Sequence, residues 1–164
     1  MHSFLVVLAC LAVIALITGG FLYWTLFTGG STEIEPRFQV EGLDPAAITG
    51  TPPGAPAREK SPGEGLFSYR IDGAPAFQTD GTGEINLQNP AFNQYLMVLE
   101  IAGEDSQVLY RSGFLAPNQY LAEIRLEEPL PAGQHSCTAY INAVDPETLL
   151  YIDALTCPLA ITVE

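Results

Sequence analysis

The sequence predicts an all-β domain carried behind a single transmembrane helix, and three observations predict it. Phe4 to Thr28 is an uninterrupted apolar run without a charged residue. Residues 31–65 follow with Pro and Gly throughout and no sustained apolar period. From Leu66 onward apolar and polar side chains alternate in twos, which is the repeat of a half-buried strand.

At about 1.5 Å rise per residue, the first run is long enough to cross the roughly 30 Å hydrocarbon layer with some tilt. The alternative is a cleaved signal peptide, but "MHS" supplies no basic n-region and the run continues past Gly19 and Gly20. Tyr23 and Trp24 fit an aromatic belt at the outer interface. Cys10, in "VLAC", stands too close to the start for a lipoprotein acylation site and reads as a thiol within the helix. Little chain precedes the helix and everything able to fold follows it, so the C-terminal domain is expected outside the cytoplasm. The expected organisation is an anchor over residues 1–30, a Pro/Gly-rich extracytoplasmic linker over 31–65, with a short strand possible at "FQV", and a β domain over 66–164.

Charge narrows the partners. The chain has 19 Asp+Glu against 6 Lys+Arg, a formal net charge of −13, and every acidic residue follows the apolar run. Nucleic-acid binders concentrate Lys and Arg against phosphates, so nucleic acid is not an expected partner. A solvated acidic surface that keeps an exported domain soluble is the plainer reading.

The strands read in order. "LFSYRID" sends Phe67, Tyr69 and Ile71 to one side, and "GEINLQN" does the same with Ile85 and Leu87. "YLMVLEIA" is apolar on both faces except for Glu100, as a central strand would be. "SQVLYRS" follows the turn "GEDS", and "SGFLAPNQ" crosses to "YLAEIRLEE", where Tyr120, Ala122, Ile124 and Leu126 are expected inward. After "PLPAG", "QHSCTAYINAV" and "LLYIDALTCPLAITV" form the last hairpin. About seven short strands with turns between them imply an immunoglobulin-like antiparallel β-sandwich, with a small barrel as the alternative.

Turn chemistry marks two corners. In "DPET", Asp145 can cap backbone amides and Pro146 presets φ. Pairing outward from Val144 and Leu149 brings Cys137 opposite Cys157 or within one residue of it, both pointing inward. Outside the cytoplasm a disulfide is expected, the alternative being two small buried thiols.

Catalytic groupings are sparse. His2 precedes the anchor and His135 stands at a strand start, where a surface residue is expected. Glu127 and Glu128 are adjacent, so along a strand they point to opposite faces and cannot flank one glycosidic bond. "DGTGEINLQN" has oxygen donors but not the spacing of an EF-hand loop, so a turn is expected rather than a calcium site. No catalytic residue, cofactor or metal ligand is assigned.

"GEINLQNPAFNQYLMVLEI", "VLYRSGFLAPNQYLAEIRLEEPLPAGQ" and "AYINAVDPETLLYIDALTCPLAITV" resemble a group of small proteins of Gram-positive, Clostridia-like bacteria. These carry an N-terminal membrane anchor, a low-complexity spacer and one immunoglobulin-like β domain. The resemblance runs from about Phe67 to Val163 and implies an exported, tethered sandwich without bringing an activity. Within it "NPAFN" would be a corner in which Pro90 ends a ladder and Asn89 and Asn93 bond to backbone groups. Cys137 and Cys157 stand where the group is associated with small residues such as Ala, which suits a disulfide added to an existing contact. His135 stands where it is associated with Tyr.

The expected function is a non-catalytic cell-surface protein, anchored in the membrane and engaging an envelope protein partner, an accessory subunit of a larger assembly being one form of this role. The alternative is a carbohydrate or cell-wall binding module using Tyr95, Tyr110, Tyr120 and Tyr140.

Overall fold

The computed structural model describes Val40, residues 42–54 and residues 67–164. The expected anchor, Cys10 and most of the linker lie outside the described residues. Among the described residues there is no helix long and apolar enough to cross a membrane.

Eight strands form one curled sheet: β1 (Ile48–Thr49), β2 (Ala76–Phe77), β3 (Thr82–Asn89), β4 (Leu96–Ala102), β5 (Val108–Arg111), β6 (Gln119–Arg125), β7 (Gly133–Val144) and β8 (Tyr151–Val163). Their order is β1-β6-β3-β2-β8-β7-β4-β5. The sheet is mixed rather than purely antiparallel as expected, because β2 pairs antiparallel with β3 and parallel with β8. The chain reaches β2 through residues 67–75, which run beside the core, and so enters the gap between β3 and β8 travelling in the direction of β8. Phe77 lies over Gly83 so closely that a Cβ there would enter the ring, which is why this crossing strand needs a glycine partner.

One buried cluster joins both arms of the curl. Ile85 and Leu87 from β3 and Leu121 from β6 meet Met97, Leu99 and Ile101 from β4, Ile141 from β7 and Ile161 from β8. The all-apolar reading of β4 holds: it lies between β5 and β7, and its other face puts Val98 in a second cluster with Phe114 and Val144.

Three expectations are corrected. "LFSYRID" forms only an isolated bridge, Arg70 to Gln88, although Phe67, Tyr69 and Ile71 do pack against the core. In β6 it is Leu121 that is fully buried, where Tyr120 and Ala122 were expected inward. The buried parity of β6 changes between Leu121 and Ile124, at the level where a bulge in β3 between Glu84 and Leu87, with Asn86 at φ 47°, shifts the β3–β6 register. The third concerns the linker. Ile48 and Thr49 pair with Tyr120 and Gln119, Gly50 N–H donates to Asn118 O at 2.7 Å, and Asp44 N–H donates to Phe114 O at 2.9 Å. Part of the segment expected to be tether therefore folds with the domain.

Along the other edge of β8, the N–H groups of Ala160, Thr162 and Glu164 donate to the carbonyls of Gly73, Pro75 and Phe77. By strand alternation Pro158, Thr156 and Ala154 present the same edge. Pro158 has no N–H to offer, and Ala154 N–H is held by the Asp153 carboxylate at 2.8 Å. This edge is closed to further pairing except at Thr156.

Candidate functional site

The corner expected at "NPAFN" is present, with Asn89, Pro90 and Asn93 buried and Ala91 exposed. Asn89, 0% exposed, donates through Nδ2 to Tyr95 O at 3.0 Å and Leu115 O at 2.8 Å. Asn93 Nδ2 donates to Ser68 O at 2.6 Å and to Asn89 Oδ1 at 2.7 Å, and Ser68 N–H donates back to Asn93 Oδ1 at 3.1 Å. Pro90 ends β3, and its carbonyl accepts Asn93 N–H. The pair ties four chain segments together, and its amides are spent on backbone groups.

At the hairpin tip Asp145 Oδ1 accepts the N–H groups of Glu147 and Thr148 at 3.0 and 2.8 Å and the Thr148 hydroxyl at 2.9 Å, with Pro146 between them. These bonds, led by the Thr148 N–H, hold the Asp145 carboxyl below its ordinary range. Asp80 behaves alike through Thr82 N–H, so "DGTGEINLQN" opens with a turn, as expected.

The two late cysteines sit differently from expectation. A longer hairpin tip pairs Val144 with Tyr151 instead of Leu149, and a bulge between Ala143 and Val144 shifts the register by one more residue, which sets Cys137 opposite Leu159 and Ala139 opposite Cys157. Cross-strand diagonals of this kind measure about 7–8 Å, beyond the roughly 4.4–6.8 Å usual between bridged Cα atoms. In the structure both are free thiols. Both face the core, as their parity required. Burial, and secondarily the Glu104 carboxylate, push the Cys137 thiol up. The Tyr69 hydroxyl is likewise raised by burial and then by neighbouring Cys157.

His135 is half-buried near the start of β7, with Nε2 2.7 Å from Pro131 O. It lines a cleft of about 330 Å³ with Glu104, Asp105 and Cys137. Among the described residues no group of three or more His, Cys, Asp and Glu is placed to hold a metal ion. Tyr95, Tyr110 and Tyr120 are half-buried, whereas Tyr140 is exposed.

Large apolar side chains surface where alternation did not place them. Among the described residues, Tyr140, Leu149, Tyr151 and Ile152 are exposed on the β7–β8 hairpin, and Leu43, Ile48 and Val108 are exposed elsewhere. The signal was present as "LLYI" immediately after the "DPET" turn, an apolar run that was assigned to pairing rather than to a tip. On the same side, Asn142 is 0% exposed and donates from Nδ2 to Val98 O and Tyr140 O, both at 3.3 Å, while its Oδ1 meets no donor among the described residues. Beside it Arg111 binds Glu100 Oε1 through Nε at 2.9 Å and Nη2 at 2.7 Å.

No family model matches this chain, and no curated protein matches it.

Proposed function

We propose that this chain is a non-catalytic, membrane-anchored protein of the cell surface whose β domain is displayed for protein–protein contact within an envelope assembly. We read the domain as an immunoglobulin-like sandwich. The arms β1-β6-β3 and β8-β7-β4-β5 correspond to its two sheets, and β2 is the strand that passes from one to the other. The run from Phe4 to Thr28 supports the anchor.

The observation that carries the display reading is the gathering of Tyr140, Leu149, Tyr151 and Ile152 on one hairpin. Clustered exposed apolar side chains mark interaction sites, whereas scattered ones are ordinary. Leu149 also holds φ 57°, a costly conformation for a branched side chain and one that a tight functional tip can sustain.

Protease shaving of intact cells, followed by cross-linking in native membranes, tests this reading. The expected result is a surface-exposed chain whose cross-linked partner is lost in Ile152→Asp. A chain protected in intact cells and cross-linked to nothing would overturn it.

Exposed Tyr140 and Tyr151 favour a second reading, a carbohydrate-binding face on which sugar rings stack. Binding on a glycan array that is lost in Tyr140→Ala would establish it, and silence across the array would remove it.

A further inference from the structure

We propose that the outward face of the β7–β8 hairpin is a self-association surface on which a second copy of this chain docks face to face. This rests on the reading of the domain as a docking module and names its partner. In the register of the hairpin, outward positions alternate along both strands, including Ser136, Thr138 and Tyr140 on β7 and Thr156, Pro158 and Ala160 on β8. From Gln134 to Tyr140 and from Ala154 to Thr162, no outward position is Asp, Glu, Lys or Arg. The neighbouring charges on β4 and β5, Glu100 and Arg111, neutralise each other at 2.7 Å.

Such a face is unusual on a chain of net charge −13. A basic partner would be drawn to the acidic loops and not to this strip. An acidic partner meets no like charge on this strip, and the acidic protein certain to be present is another copy. The chemistry of the face suits a two-fold contact. Ser, Thr and Ala project little, so two sheets can approach closely, and the Tyr140 ring supplies apolar area with a polar tip. Pro158 and the Asp153 cap leave Thr156 the one N–H on the β8 edge between Ala154 and Pro158 open to a further strand, which favours contact through side chains over strand addition.

Because repulsion between the acidic bodies opposes this contact, salt strengthens it. The Debye length falls from about 30 Å at 0.01 M to about 3 Å at 1 M salt. The test is sedimentation velocity of the full-length chain in density-matched detergent at both salt concentrations, on the wild type, Thr138→Glu, Ala160→Glu and the off-face control Gln78→Glu. Thermal midpoints verify that each variant is folded. The expected result is a dimer whose fraction rises with salt, with both face variants requiring at least about tenfold more protein to dimerise and the control unchanged. A wild-type monomer at both salts, or a dimer indifferent to the face variants, would overturn the proposal. If a monomeric wild type nevertheless cross-links in native membranes to a different protein, and the face variants abolish that cross-link, the second copy is refuted while the display reading stands. A monomer with no cross-linked partner would refute both.

Discussion

The Asp44 carboxylate accepts the Gly113 N–H at 2.7 Å, joining residues 69 positions apart. A Cβ on Gly113 would lie 2.6 Å from the Asp44 Cα, so the close approach requires glycine. Gly113→Ala should cost about 1–3 kcal/mol by overpacking. Denaturant unfolding measures the loss, and limited proteolysis should newly cut within residues 42–54. Unchanged stability and an uncut segment would show that this contact does not hold the segment.

Asn89→Ala removes the donor to two buried carbonyls and the acceptor for Asn93. Each stranded buried group costs about 1–3 kcal/mol, so this substitution should be among the most damaging on the polar side of the core. Asp145→Ala, at an exposed turn where water can replace the lost bonds, should cost clearly less. Equal losses in urea melts of the two variants would contradict this ranking.

Asn142→Leu should be neutral or stabilising by up to about 1 kcal/mol, because it removes a buried acceptor that no described residue satisfies. A fall in melting temperature would mean that the Nδ2 bonds to Val98 O and Tyr140 O outweigh the stranded oxygen.

Cys157 should react with a thiol probe in the folded chain well before Cys137, which is buried and held protonated by its surroundings. Mass spectrometry after timed labelling gives the order, and denaturation without reductant should expose both. Equal protection of the pair until reductant is added would establish a bridge across the diagonal.

Burial first, then the carboxylates of Asp44 and Glu127, push the Tyr110 phenol far above its ordinary value of 10.0. The folded state therefore keeps a proton that the unfolded chain releases above about pH 10, and stability falls as pH rises from there. Stability curves over alkaline pH should slope less in Tyr110→Phe than in the wild type. Parallel slopes would mean that another group governs the alkaline transition.

The strands legible in the sequence were those whose burial follows from local alternation. β4 announced itself by being apolar on both faces, and β7 and β8 by their length and the turn between them. Asp44 was not legible, since a single acidic residue in a Pro/Gly-rich stretch reveals nothing of a partner at Gly113. The cysteine register failed for a related reason. It was extrapolated from the turn, but the tip takes up two more residues, so that Val144 meets Tyr151, and a one-residue bulge beside Val144 adds a third. Leu121 was misplaced because the bulge at Asn86 lies on the neighbouring strand, invisible from the sequence of β6 alone. The hairpin face could have been found by sorting charges by strand parity, a pattern that total composition conceals.

The position of β8 in the sheet sets an order on synthesis. It is the last of the eight strands to be made, yet it lies inside the sheet between β2 and β7. While the ribosome is still adding residues 151–163, β7 lacks its longest partner and β2 lacks the strand it runs alongside. The domain therefore cannot close as it emerges, and its nascent chain stays open until β8 has been completed.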